Sequence, residues 1–349
     1  MKDHRDRNTR RRRRAPIGLL GGVIALALSL GLFVAFIASN GLLTHPRVHA
    51  AQGTFRPHHP TDPDRNTILL IGTDARAGDP LGNSDVLCVA SIDEKNHRME
   101  LLSIPRDTQV AFPDGRYHKI NDALMQGGPE LTARVVENLI GLPVDHYAIT
   151  RFDGLVHLIN RIGGVPIDVP RRLHYITGDT THGVIDLKPG RQQLNGEQAL
   201  GFVRFRHDAL GDIGRTARQQ AFLVALKTQL LRPETIPKIP GMISDLASSM
   251  ETDMSVIEVG KLASRAKAYA TYDTIHETLP GSFHNPEPLD SDDLSYWVVN
   301  PKQARFVAKQ FFEDGIVQSN PIQDPEQTRD WVYPQEPNAL HQNSTSTQQ

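Results

Sequence analysis

Three short apolar runs follow one another between residues 67 and 104: Thr67–Thr73 (TILLIGT), Val86–Ile92 and Met99–Ile104. Each is bounded by turn formers. Gly78, Pro80 and Gly82 separate the first two, the polar stretch 93–98 separates the next two, and Pro105 ends the third. Runs this short between such punctuation read as buried strands rather than helices. Short connections favour neighbouring strands in a meander. The end of the first, the start of the second and the end of the third then share one sheet edge. That topology alone brings Asp74, Asp85 and Arg106 together, while the turn at 93–98 lies at the far edge. Further strands are expected at 144–150 and, as an edge because of Pro166, at 165–169. Helices are expected at 130–140, 152–162, 194–199 (short), 215–231, 235–249, 255–270 and 301–313. Residues 171–190 read as an irregular polar excursion.

A second stretch concentrates positive charge. Leu200–Arg206 reads as a strand by its alternation, with Val203 and Phe205 on one face and Phe202, Arg204 and Arg206 on the other. A loop follows, then a helix opening near 212–214. On that helix Arg215, Arg218 and Gln219 stand at i, i+3 and i+4, one helical face. Four guanidiniums and an amide can so converge on one spot. Arginine presents a fixed fork of donors that fits phosphate oxygens and keeps its charge. A solvated basic strand end is the plainer alternative. Two aspartates beside such arginines suit a hard cation such as Mg²⁺, which is commonly held by one or two carboxylates plus substrate phosphates. Either aspartate alone reads more simply as a turn cap.

The formal net charge of −2 is unevenly spread. Residues 1–14 carry eight Lys/Arg against two Asp/Glu, which leaves 30 basic and 38 acidic residues beyond them. The folded part therefore offers no basic face for nucleic acid. One cysteine, Cys88, excludes an internal disulfide. Ile17–Ala38 contains no charged residue. At about 1.5 Å per residue such a helix spans about 33 Å, enough for a bilayer core of about 30 Å. The preceding arginines place residues 1–16 in the cytoplasm and the rest outside. A cleaved signal peptide ending near Val48-His49-Ala50 is the alternative, but the apolar run is long for one. Residues 39–65, with Pro46, Pro57, Pro60 and Pro63, read as a linker. A folded domain is expected over 66–316 and a polar, disordered tail over 317–349.

The order of motifs is GTDAR, NSDV, LLSIPRDTQV, HKINDAL, ITRFDGLVHLINRIGGVPIDV and LNGEQALGFVRFRHDALGDIGRTARQQ. Over residues 66–232 this resembles the LytR–CpsA–Psr family of envelope proteins. The resemblance implies a single-span membrane protein with an extracytoplasmic three-layer α/β/α domain around a central mixed sheet. It implies transfer of an anionic glycopolymer, of teichoic acid or capsule type, from a polyprenyl-pyrophosphate carrier to a hydroxyl of peptidoglycan. Asp74 and Asp85 would hold Mg²⁺. Arg106, Arg204 and Arg206 would be catalytic, with Asp107 or Asp74 as a base for the hydroxyl. Arg76, Arg106, Lys119, Asn121, Arg204, Arg206, Arg215, Arg218 and Gln219 would bind the pyrophosphate and phosphosugar. An apolar slot between sheet and helices would take the polyprenyl chain. Asn83 stands where many members have arginine, so one pyrophosphate contact is missing or comes from Arg76. A pyrophosphatase, with water in place of the hydroxyl, and a protein that only binds the lipid-linked polymer are the competing readings.

Overall fold

The structure, a computed structural model, describes residues 64–75, 80–177, 182–206, 211–235, 237, 250–285, 295–318 and 320–332. In chain order the strands and helices of the first half are β1 (Arg65–Thr73), β2 (Ser84–Asp93), β3 (Arg98–Ser103), β4 (Gln109–Ala111), β5 (Tyr117–Lys119), α1 (Asp122–Ile140), β6 (His146–Arg151) and α2 (Phe152–Arg161). Next come β7 (Val165–Val169), β8 (Leu173–Ile176), β9 (Val184–Leu187), β10 (Gly190–Leu194), α3 (Gly196–Arg204) and α4 (Gly211–Leu230). The last group is β11 (Met250–Thr252), α5 (Val256–Ser264), α6 (Ala266–Tyr269), β12 (Asp273–Thr278), β13 (Ser282–His284), β14 (Tyr296–Val298), α7 (Pro301–Lys309) and α8 (Pro325–Thr328).

Six strands form one mixed sheet in the order β11-β6-β1-β2-β3-β12. The expected meander is its centre: β1, β2 and β3 are antiparallel neighbours. Strand β6 runs parallel to β1 and β12 parallel to β3. The register sorts side chains by face. Leu69, Ile71, Leu87, Val89, Leu102, Tyr147 and Ile149 lie on one face and are buried with α1 and α7. Helix α4 crosses the opposite face: Gln220 donates to Thr278 Oγ1 and Lys227 to Thr274 Oγ1.

That second face is packed differently. Helices α2, α3 and α4 and the ribbons β7–β10 and β8–β9 share a core of their own, including Phe152, Ile159, Leu173, Phe202 and Phe222. No residue of the six-stranded sheet belongs to that core. Ile68, Leu70, Val86 and Ala90 on the sheet, and Leu223, Val224 and Leu226 on α4, remain half-buried. On the same side Leu223 and Leu226 pack against that second core, and Cys88 and Leu101 of this sheet face are buried.

The fold corrects the sequence reading in four places. Residues 200–206 are not a strand. Gly196–Arg204 is a helix, started by a capping box in which Asn195 accepts from the Gln198 backbone and Gln198 from that of Asn195. The alternation misled because Ala199 to Val203 are all buried, leaving no polar face to mark a helical period. Within 171–190, Leu173–Ile176 and Val184–Leu187 pair as an antiparallel hairpin, with Leu173, Ile185 and Leu187 buried. Residues 317–332 are not a featureless tail, because Ile322 bridges Gly281 and the buried Thr328 meets Ser282. Strands β11 and β12 were not anticipated. The expected membrane helix at 17–38 and its flanks, most of the expected helix at 235–249, and the chain beyond 332 lie outside the described residues. Among the described residues no helix is long and apolar enough to cross a membrane.

Candidate active site

The β1–β2 pairing slips at its end. Gly72 faces Val86, yet Thr73 faces Ser84, so Asp85 is the extra residue of a bulge. A bulge re-aims a side chain, and here the side chain meets the residue after β3. Arg106 Nη1 donates to Asp85 Oδ1 across 2.7 Å. The loop carrying Arg106 is tied to the same spot by backbone. Asn121 N donates to the Arg106 carbonyl at 3.2 Å, and Ser84 N to the Asn121 carbonyl at 3.1 Å. Asn121 itself is buried, and its backbone links the Arg106 loop to the start of β2. Asp107 lies between Lys119, at 2.8 Å, and Arg106, at 3.7 Å. The Lys119 ammonium also sits 5.6 Å over the Tyr296 ring.

Asp74 stands at the solvent edge, two steps from the bulge. Partial desolvation first, then the charge of Asp85, push its carboxyl above the ordinary value against the pull of Arg204 and Arg106. Asp74, Asp85, Arg106 and Arg204 are therefore within electrostatic reach of one another, although Arg204 comes from a helix and not a strand. Arg204 ends α3, its guanidinium 4.7 Å over the Phe152 ring and donating to the His182 carbonyl at 3.3 Å.

The other arginines separate. Arg206 lies two residues past the helix end and is exposed, so it does not share a face with Arg204 as the strand reading required. Arg215 is buried in α4. Arg218 is turned into the protein, donating to the Phe205 carbonyl with its guanidinium 5.3 Å from that ring. Gln219 backs the bulge, its amide reaching the Asp85 carbonyl at 3.4 Å and the Val203 carbonyl at 3.5 Å. Arg76 lies outside the described residues.

Asn83 does not substitute for an arginine. Its amide donates to Asp122 Oδ1 at 3.1 Å. Burial pushes the Asp122 carboxyl up, while His118 and Lys119 pull it down. Nothing in the sequence singled out Asp122, Phe152 or His182. Among the described residues no group of three or more His, Cys, Asp or Glu is arranged to hold a metal ion. A cavity of about 170 Å³ lined by Arg65, Thr67, Val89, Ile140 and Phe312 lies where β1 begins and shares no residue with this cluster.

Comparison with known proteins places this geometry. The LytR_cpsA_psr family model matches residues 42–312. The polyisoprenyl-teichoic acid–peptidoglycan teichoic acid transferase TagV of Bacillus subtilis (strain 168) is 38% identical over 197 residues, 55% of this chain and 50% of that protein. The regulatory protein MsrR of Staphylococcus aureus (strain COL) is 32% identical over 199 residues, 56% of this chain and 59% of that one. The chain thus spans between half and three-fifths of the length of these relatives. The crystal structure of B. subtilis TagV superposes with a TM-score of 0.62 at 30% identity, covering 72% of this chain and 96% of that one. TagT bound to LI-WTA gives 0.60 at 26% identity, covering 77% and 100%. With the family model matched across the meander, the bulge and the arginine-bearing helices, this chain belongs to the LytR–CpsA–Psr family.

Proposed function

We propose that this protein transfers an anionic glycopolymer from a polyprenyl-pyrophosphate carrier to a peptidoglycan hydroxyl, at the sheet edge built by Asp74, Asp85, Arg106 and Arg204. The observation that carries the reading is the pairing of two mutually repelling carboxylates with two guanidiniums at one sheet edge. Similarity to the named teichoic acid transferase supports the same reading.

Asp74 and Asp85 offer hard oxygen donors, and their repulsion is what a divalent cation would relieve. The pair fits Mg²⁺ sharing its shell with phosphate oxygens. When bound, Mg²⁺ would supply positive charge against the pyrophosphate. Arg106 and Arg204 neutralise charge growing on the bridging oxygen, a term worth several kcal/mol in a desolvated site. The polyprenyl chain runs between the sheet and α4, past the half-buried Leu70 and Val86. The acceptor hydroxyl attacks the sugar-side phosphorus, the P–O bond to polyprenyl phosphate breaks, and that phosphate leaves with the electron pair. Asp107, held by Lys119 and Arg106, suits orientation of those cations better than proton acceptance. Asp74, raised by burial within the cluster, and Asp122, raised by burial and hydrogen-bonded to Asn83, are the carboxylates suited to take the hydroxyl proton. Ile17–Ala38 anchors the domain on the outer face of the membrane, where the carrier lipid is confined.

The test incubates the full chain in detergent with a polyprenyl-pyrophosphoryl sugar, Mg²⁺ and peptidoglycan fragments. Mass spectrometry then looks for phosphosugar joined to the fragment. Joined product that vanishes with EDTA and in Arg204→Ala is expected. Free sugar phosphate without joined product would make the protein a pyrophosphatase, and unchanged lipid that co-purifies would make it a binding protein.

A further inference from the structure

His182 occupies a position that the site description leaves unexplained. It opens the second arm of the β8–β9 hairpin and is nearly covered. Its Nε2 lies 3.1 Å from Asp153 Oδ1 and its Nδ1 2.9 Å from Glu197 Oε2. A neutral imidazole carries one N–H and one lone pair, so it can donate to only one of the two. Donation to both requires the imidazolium. Both carboxylates sit in the first turn of a helix, Asp153 in α2 and Glu197 in α3, where the helix dipole favours their charged form.

The elements that carry these three residues also hold Arg204. Asp153 follows Phe152, whose ring carries the Arg204 guanidinium. Glu197 starts the helix that Arg204 ends. The His182 carbonyl accepts from Arg204 Nη1. We propose that His182, as an imidazolium held between Asp153 and Glu197, is a positioning residue for Arg204. It ties the starts of α2 and α3 to the hairpin and so holds the guanidinium toward Asp74. Among the described residues the charged groups in contact with the ring are Asp153 from α2 and Glu197 from α3, with Arg204 of α3 at the His182 carbonyl. Loss of the ring proton leaves a lone pair facing a carboxylate, and the hairpin carbonyl moves off Arg204. The role in turnover rests on the transfer reading, but the role in placing Arg204 does not.

The experiment compares wild type, His182→Gln and His182→Lys as full chains in detergent. Affinity for farnesyl pyrophosphate is measured by calorimetry between pH 5.5 and 9, alongside kcat and KM for transfer and the melting temperature. His182→Gln should bind farnesyl pyrophosphate about tenfold more weakly and turn over about tenfold more slowly, as small misplacements of a charge-stabilising group do. Wild type should lose affinity and kcat on the alkaline side. His182→Lys, a permanent cation between the carboxylates, should retain both and show no alkaline step. Equal affinity and an unchanged pH profile in His182→Gln would overturn the proposal. So would a His182→Lys that behaves like His182→Gln. If wild type binds the probe but transfers nothing, the transfer reading falls and the affinities alone decide on His182.

Discussion

Arg106 reaches Asp85 only because Asp85 is the extra residue of a β-bulge, and the 2.7 Å contact between them closes the sheet edge at the candidate site. Both side chains are about a quarter exposed, 22% and 25%. A pair in that setting contributes about 0–1 kcal/mol to folding. Its weight falls on charge balance, because removing Arg106 leaves Asp74 and Asp85 facing one another. Arg106→Ala should therefore cut transfer by about a hundredfold or more and shift the melting temperature little. Arg106→Lys should recover only part of the rate, since an ammonium lacks the fork. Steady-state kinetics beside calorimetric melts check both.

Arg218 and Arg206 should behave oppositely to one another. Arg218 is buried, donates to the Phe205 carbonyl and stacks near its ring. Arg218→Ala leaves that carbonyl without its charged donor and should cost about 2 kcal/mol of stability in urea denaturation. Arg206 is exposed, so Arg206→Ala should stay within about 0.5 kcal/mol of wild type. A stable Arg218→Ala with an ordinary core would show that the contact is idle.

The contrast between these arginines marks what the sequence could carry. The meander was legible because three apolar runs were separated by loops too short for a crossover, and the edge cluster of Asp74, Asp85 and Arg106 follows from that. The bulge that turns Asp85 was not legible, since it is a one-residue slip between Gly72 and Thr73. The arginine stretch was misread as a strand because Ala199–Val203 are buried all round. The short helix expected at 194–199 is the start of α3, which Asn195 and Gln198 cap. Strand β12 is the sixth strand only through pairing with β3, some 175 residues before it, and no local pattern encodes such a partner. His182 meets Asp153 and Glu197 for the same reason: three elements must fold before the contact exists.

Asp122 gives the site a pH signature. Burial holds its carboxyl above the ordinary value, and the Asn83 amide is one of the groups that lower it again. If Asp122 takes the proton, the acid limb of kcat against pH sits above the usual carboxylate range. Asn83→Ala removes a hydrogen bond to the charged form and should move that limb further toward neutral pH. Asp122→Asn should abolish the limb together with most of the rate. A limb that stays in place in Asn83→Ala, or full activity in Asp122→Asn, would return the proton to another acceptor.

Glu277 gives the fold a second pH dependence, away from the site. It pairs in register with Leu102 on the face that packs against α1 and α7, and it is 4% exposed. Burial pushes its carboxyl up to about 7, with the Gln318 backbone N–H pulling weakly the other way. The folded state thus holds the proton more tightly than the unfolded chain, whose glutamate titrates near 4.5. The stability this contributes is fully present below about pH 4.5, is lost as the pH rises toward 7, and stays lost above it. The span corresponds to at most about 3 kcal/mol. Glu277→Gln keeps the shape of the protonated acid without the charge. It should match wild type in urea denaturation near pH 4.5 and be more stable by about 1–3 kcal/mol at pH 8. Equal stability of the two proteins at pH 8 would mean that the carboxylate finds solvent or a cation when it ionises, and that the edge formed by β12 and residues 315–318 opens to let it.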